Sequence, residues 1–357
     1  MVTPRSLSVF RGKRVFVTGD TGFKGSWLCW WLQELGAEVA GYALAPKRAD
    51  DHFNLLRLGG LIRHTTADVR NYAKLTDVMR KFKPEFVFHL AAQSLVRVSY
   101  EQPKLTFDTN VNGSVNVLEA VKSTPSVRVL IYVTSDKCYR NNEWMWGYRE
   151  NDALGGRDPY SASKAAAELV FEAYRRSFFE HRNGLGVASV RAGNVIGGGD
   201  WSEDRIVPDC MRALRAGRPI ELRNPRATRP WQHVLEPLGG YLLLASRLHR
   251  SPRQYSGAWN FGPGSEAMHT VKDLAQGIVR SWGEGRVVAR RSKHAPHEAT
   301  LLHLNCDKAR LELGWRPAWG FAKTVDETVI WYKGIATGAR ARALSRQQIR
   351  RYMGDAR

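Results

Sequence analysis

Val15-Phe16-Val17-Thr18 runs straight into Gly19-Asp20-Thr21-Gly22-Phe23-Lys24-Gly25, and an apolar helical run follows from Trp27. Four β-branched or aromatic residues in a row read as a buried strand. Glycine at 19, 22 and 25 permits a tight turn, close approach of the backbone to a pyrophosphate, and close helix packing, with the anion at the helix N-terminus. The ligand this implies is a dinucleotide, facing Gly19, Thr21, Gly22, Phe23, Lys24 and Gly25. Asp20 would repel two phosphates unless it turns away, and Lys24 would offset it.

Working outward, the first half of the chain alternates short β-branched runs with amphipathic stretches. Strands are predicted at 14–18, 38–42, 63–66, 86–90, 128–134 and 187–191, with helices between them and Gly36 closing the first helix. That order predicts an α/β fold, a doubly wound parallel sheet whose ligands lie at the carboxyl ends of its strands. The second strand ends Gly41-Tyr42-Ala43-Leu44, without the acid that grips an adenosine ribose, so the choice between NAD and NADP stays open. Asp68 and Val69 follow the third strand, where a carboxylate and a backbone N–H can meet adenine. Leu90, Ala91, Ala92 and Gln93 follow the fourth, with small side chains that let a ribose lie against the backbone. After Arg191 the regularity breaks into glycines, prolines and arginines. The predicted division is 1–193 plus 232–263 for the dinucleotide domain and 194–231 plus 264–357 for a smaller mixed α/β substrate-binding domain. Helices are expected at 235–248 and 271–282, with a short strand at 259–261.

The 357 residues suffice for two domains at roughly 150 each, and 43% hydrophobic content with 12 Trp, 12 Tyr and 13 Phe excludes global disorder. The four cysteines, Cys29, Cys138, Cys210 and Cys306, are far apart, which suggests neither a metal cluster nor a disulfide framework and points to a reducing cytoplasm. The apolar run 27–32 is far short of the about 20 residues a membrane span needs, and residues 1–10 lack a signal peptide's apolar core. No membrane association is expected. Lys and Arg total 54 against 34 Asp and Glu, a net charge of +20, which attracts polyanions. No nucleic-acid motif accompanies the charge, so the cluster Arg340, Arg342, Arg346, Arg350, Arg351 and Arg357 reads as a solvated helix face, with no nucleic acid expected as partner.

Two further patterns carry chemistry. Tyr160 and Lys164 are four apart at the start of a long helical pattern after Asp158-Pro159, which puts phenol and ammonium on one face. A nearby cation favours phenolate, so the tyrosine is expected to work as a base near neutral pH. Tyr100 and Lys104 repeat the spacing, but Pro103 between them disrupts a helix interior. Thr134-Ser135-Asp136-Lys137 leaves the fifth strand, so a hydroxyl, a carboxyl and an amine emerge together at the sheet's carboxyl edge.

With TGxxGxxG at Gly19, Gly22 and Gly25 and YxxxK at Tyr160 and Lys164, the chain resembles the extended short-chain dehydrogenase/reductase family (NAD-dependent epimerase/dehydratase) almost end to end. GFKGSW from Gly22, AAQxLVRxSY from Ala91, TSDKCY from Thr134, RAGNVIGGGDW from Arg191 and TRPWQHVLEPLGGY from Thr228 look like the family's nucleotide-sugar 4,6-dehydratases, on the branch that takes CDP-glucose. The dTDP-glucose branch carries Thr-Asp-Glu where this chain has Ser135, Asp136 and Lys137. Asp20 stands where many relatives have His, and Ser94 where many have Pro. The resemblance implies a Rossmann fold, bound NAD, CDP-glucose as substrate and a homodimer through helices around 105–121 and 161–174. It also implies roles. Tyr160 takes the C4 hydroxyl proton with Ser135 bonded to that hydroxyl, and Lys164 holds ribose and phenolate. Asp136, kept protonated by desolvation, is the acid at C6, and Lys137 the base at C5. Gln93, Arg97, Asn194, Arg205, Arg229 and Trp231 are the residues expected at the substrate, and no metal is expected. A sugar epimerase would share Tyr160 and Lys164 without needing Asp136 beside Lys137. A dinucleotide sensor would need neither pattern, and nucleic-acid binding would show itself by salt dependence.

Overall fold

The computed structural model describes residues 2–264, 268–289 and 301–356. Its centre is a parallel sheet of seven strands: β1 (Arg14–Thr18), β2 (Glu38–Ala43), β3 (Arg63–Thr66), β4 (Phe86–His89), β5 (Val129–Val133), β6 (Gly186–Ala192) and β7 (Gly257–Phe261). The order across the sheet is β7-β6-β5-β4-β1-β2-β3. Val15 to Thr18 stand opposite Val39 to Tyr42 on one side and Phe86 to His89 on the other. Strand order reverses between β1 and β4, which opens a crevice at their carboxyl ends.

Side chains alternate across the sheet, and both faces are covered. Val15, Val17, Phe86, Phe88 and Ile131 point into one core with α1 (Phe23–Glu34) and the later helix Leu235–Arg250. Phe16, Tyr42, Val87, Leu130 and Tyr132 point into the other, with α2 (Tyr72–Phe82), α3 (Gly113–Lys122) and α4 (Pro159–Tyr174). The six predicted strands are all present, two with the predicted bounds and four with ends shifted by one residue, and β7 joins them beside β6. All of Trp27–Leu32 is buried, because α1 is enclosed by the sheet, by the short helix His52–Leu55 and by the last helix.

Beyond β6 lie α5 (Ile206–Arg215), α6 (Leu235–Arg250), α7 (Val271–Trp282), α8 (Phe321–Ala336) and α9 (Ala341–Asp355). Three two-stranded ribbons accompany them: Val195–Ile196 with Gln232–His233, Thr228–Pro230 with Met268–Thr270, and Ile220–Leu222 with Val287–Ala289. Helix α9 packs on α1 and on His52–Leu55. His52 ties these together: its ring stacks on Trp27 at 4.4 Å, and its nitrogens bond Ser26 at 2.9 Å and Ser345 at 3.0 Å. The basic residues of α9 are partly paired, Arg346 with Glu34 at 2.7 Å and Arg351 with Glu327 at 3.1 Å, while Arg342 donates to the Leu56 carbonyl at 2.7 Å. Arg357 is outside the described residues. The cysteines are unpaired, and no described helix is long and apolar enough to cross a membrane.

Candidate active site

The loop between β1 and α1 has no room for side chains where a dinucleotide would lie. Gly19 has φ +79°, and a Cβ there would sit 2.7 Å from the Ala91 nitrogen. A Cβ on Gly25 would sit 2.0 Å from the Gly19 carbonyl oxygen, and the Gly22 N–H closes the turn onto that oxygen at 3.1 Å. Thr21 donates to the Leu44 carbonyl at 2.9 Å, tying the loop to the end of β2. Asp20 turns away from the loop. It is 0% exposed, contacts His64 Nδ1 at 2.7 Å, and fills the space beside Gly41, where a Cβ would fall 2.1 Å from its Oδ2. Burial raises its pKa, with His64 opposing. The expected clash with phosphates is thereby removed. A cradle of this shape, free of the adjacent negative charge, fits a dinucleotide.

Lys24 is buried among Arg205, Asp136, Lys164 and Lys137, and burial pulls it down to about 8. On the adenine side, the Asp68 carboxylate is engaged by Arg70 at 3.0 and 2.6 Å, and its carbonyl accepts from the Tyr42 hydroxyl at 3.0 Å. Val69 is buried beside Gly113. Leu90, Ala91 and Ala92 are half-buried along the crevice after β4. The Gln93 amide is held internally: it donates to Leu95 O and Thr106 Oγ1, each at 3.0 Å, and accepts from Leu95 N at 2.7 Å. Asn110 clasps the Gln93 backbone and donates to Ser163 at 2.9 Å.

The catalytic candidates converge. Asp158 caps α4, accepting from the Ser161 N–H at 2.9 Å, and Pro159 takes the first helical position. This sets Tyr160 on the first turn and Lys164 one turn on, both buried. After β5 a single tight turn, Asp136–Cys138, begins at Ser135, which accepts from the Lys137 N–H at 3.3 Å. The Ser135 hydroxyl donates to Asp136 Oδ1 at 2.9 Å and lies close enough to the Tyr160 phenol to oppose the upward pull of burial on it. Lys137 Nζ reaches the same Oδ1 at 3.1 Å. Asp136 is 1% exposed. Gly193 closes the far side, since a Cβ there would meet Asp136 Oδ2 at 2.6 Å.

Tyr160 departs from expectation. Burial pushes its phenol up to about 12, and the groups that pull it down are Ser135 and Arg205 rather than Lys164. Burial lowers Lys164 to about 8, with Glu168 opposing. A phenol and an ammonium removed from water each favour their neutral form, and here that outweighs their mutual support. Arg205, expected at a diphosphate, is held by Asp200 at 3.0 Å and lies 3.5 Å from Ser94, near Tyr160 and Lys24.

The other substrate candidates are more dispersed. Arg97 Nη1 and Arg223 Nη2 both bond Asp204 Oδ1, at 3.0 and 2.8 Å, bridging the segments on either side of the cleft. Arg229 stands opposite His269 in its ribbon and donates to the Thr228 carbonyl. Trp231 is buried with Nε1 donating to His269 O at 3.2 Å, and the Asn194 carbonyl accepts from Gln232 N at 3.2 Å. The sequence reading missed Asn110, Glu168 and Gly193. Of these only Glu168 left a trace, one helical turn beyond Lys164.

Residues 16–328 match the family described as GDP-mannose 4,6 dehydratase. The chain is 49% identical over 348 residues to a CDP-glucose 4,6-dehydratase of Salmonella typhimurium, covering 96% of this chain and 97% of that protein. It is 29% identical over 347 residues to GDP-mannose 4,6 dehydratase 1 of Arabidopsis thaliana, covering 91% and 89%. A dTDP-glucose 4,6-dehydratase from Streptomyces venezuelae, solved with NAD bound, superposes with a TM-score of 0.75 at 26% identity, covering 92% of this chain and 99% of that one. A glycine cradle at the sheet's switch point, with Tyr160 and Lys164 facing the turn after β5, is thus carried by a chain that belongs to the GDP-mannose 4,6 dehydratase family, within the extended short-chain dehydrogenases/reductases.

Proposed function

We propose that the protein is a hydro-lyase that converts CDP-glucose to CDP-4-keto-6-deoxyglucose and water with bound NAD. The observation that carries this reading is the Asp136–Lys137 pair, buried at one end, bonded to Ser135 and set beside Tyr160. An epimerase acting at C4 alone has no use for an acid and a base at C5 and C6. The near-full-length relative from Salmonella supports CDP-glucose as the sugar nucleotide.

NAD, held by the Gly19–Gly25 loop and by Lys164 at its ribose, supplies oxidation at C4 and the later reduction at C6. The chain's own residues move the protons. Tyr160 receives and keeps the C4 hydroxyl proton, with Ser135 standing between it and Asp136. One proton moved across the 3.1 Å between Lys137 and Asp136 turns the ion pair into a neutral amine and a carboxyl, the forms these roles need. The amine takes the acidified C5 proton, and the carboxyl protonates the departing C6 oxygen. The proton that Asp136 delivers leaves in the water and Lys137 returns the C5 proton to C5; the C4 hydroxyl proton held on Tyr160 then passes by way of Ser135 to recharge the Asp136–Lys137 pair, so one water is released per turnover. Arg205 is assigned to steady the phenolate, Arg229 to bind the substrate diphosphate and Arg97 to reach the sugar or a phosphate, as guanidinium forks suit. Segments 194–231 and 264–357 make up the substrate side.

The same reading includes a homodimer, supported by Phe107 and Leu169, which stand 38% and 62% exposed near the face shared by α3 and α4. Leu169→Asp should therefore halve the mass in sedimentation; an unchanged mass would contradict this face. The cytoplasm fits the four unpaired cysteines. The product suits deoxysugar biosynthesis for a cell envelope. Incubation with CDP-glucose and NAD should give the 4-keto-6-deoxy sugar, read by its absorbance in alkali. A C4-epimerised sugar, or no turnover, would overturn the proposal.

A further inference from the structure

Behind the site, Glu168 lies one turn beyond Lys164 on α4 and is 3% exposed. Its two oxygens accept four hydrogen bonds. Oε1 takes Thr134 Oγ1 and Arg191 Nε, the latter at 2.9 Å; Oε2 takes Ser189 Oγ and Arg191 Nη2, each at 2.8 Å. A carboxylate offers about four lone-pair positions, so every one is filled. Arg191 is fixed from its other side by the Tyr139 hydroxyl at 2.6 Å and the Glu150 carbonyl at 2.9 Å. The ammonium of Lys164, itself 5% exposed, makes no hydrogen bond among the described residues, although Glu168 acts on its charge through space.

A lone buried carboxylate one turn from a lysine would draw the ammonium into a contact pair, because removing two charges from water is tolerable only when they meet. Here the guanidinium fork already holds that carboxylate. We propose that Arg191, with Thr134 and Ser189, saturates Glu168 so that it supports the Lys164 charge without capturing the ammonium, leaving the Lys164 donors free for the cofactor ribose. Arg191 and Glu168 are on this account positioning residues. Neither touches the reacting atoms, and the argument rests on the reading of Lys164 given above.

The account makes an unusual demand: deleting the arginine should do harm that is relieved by also deleting the charge it holds. In Arg191→Met, Glu168 is free to capture Lys164. The NAD dissociation constant, read by calorimetry without substrate, should rise about tenfold and kcat fall similarly, with KM for CDP-glucose within about twofold. In Arg191→Met/Glu168→Gln no anion remains to capture the lysine, and NAD affinity should return to within about threefold of the parent. Were the pair only a structural brace, two substitutions would be no better than one. A double variant as poor as Arg191→Met, or an Arg191→Met with parental affinity, would overturn the proposal. Should Arg191→Met fail to fold, Ser189→Ala opens a single lone pair on Oε2 and should weaken NAD binding about two- to threefold. Parental affinity in that variant would equally overturn it. A parent that binds NAD but leaves CDP-glucose unchanged would sink the substrate reading alone.

Discussion

Asp136 and Lys137 are neighbours in sequence whose side chains meet at one oxygen, and their division of labour can be separated experimentally. In Lys137→Ala the C5 proton has no acceptor, so product or recovered substrate should carry no solvent deuterium at C5 while partial oxidation at C4 persists as cofactor absorbance. Deuterium at the parental level would refute the assignment. The alkaline side of the pH profile belongs to Lys164. Its ammonium is lost as pH rises through about 8, and with it the charge proposed to hold the cofactor ribose, so kcat/KM should fall above about pH 8. A profile flat to pH 10 would show that Lys164 does not govern it. Spacing revealed Tyr160 and Lys164, because i and i+4 share a helix face whatever surrounds them. It could not reveal that burial would set their pKa values against phenolate formation, since burial is a property of the folded neighbourhood.

Between elements, the join of β2 to the dinucleotide loop is tight. Gly41 faces Asp20, and a methyl there would fall 2.1 Å from a carboxylate that is itself buried against His64. Gly41→Ala should cost about 1–3 kcal/mol in denaturant unfolding, and it should weaken NAD binding because the loop shifts with Asp20. Unchanged stability would mean the carboxylate has somewhere to go. Strands β1, β2 and β4 to β6 were legible as short apolar runs bounded by turn signals, since a strand buried on both faces is largely apolar, whereas the edge strand β3, Arg63 to Thr66, is polar and partly exposed and was marked only by its threonines and its place in the alternation. The three ribbons of the second region were not. Two- and three-residue strands such as Val195–Ile196 have no period to detect, and their partners lie far along the chain. Glu168 and Arg191 were invisible as a pair for the same reason: one sits in α4, the other in β6, and no local pattern links them.

For the molecule as a whole, three buried histidines decide how it meets acid. Burial lowers His52, His89 and His233 to about 3 each. A histidine depressed in the fold contributes stability that is present above its unfolded value of about 6.5 and is lost as pH falls toward the folded one. Glu236, pushed up to about 7 by burial, runs the other way: its contribution is present below 4.5 and lost as pH rises through 7. Lowered His249 and His303 add to the three, while Asp20, Asp51 and Glu150, raised less than Glu236, act with it; the large histidine shifts prevail, so stability should fall by a few kcal/mol between pH 7 and 5. Calorimetric melting temperatures should decline over that interval, and a rise would mean that Glu236 prevails.

The last strand of the central sheet also bears on how the chain is made. Strand β7 supplies the outer partner of β6, yet Gly257 follows Ala192 only after α5, α6 and the first ribbon strands have been synthesised. While the chain grows on the ribosome, the outer margin of Gly186–Ala192 stands unpaired, a template on which a neighbouring nascent chain can add a strand. Translation speed through residues 193–261 therefore sets how long that margin stays open to aggregation.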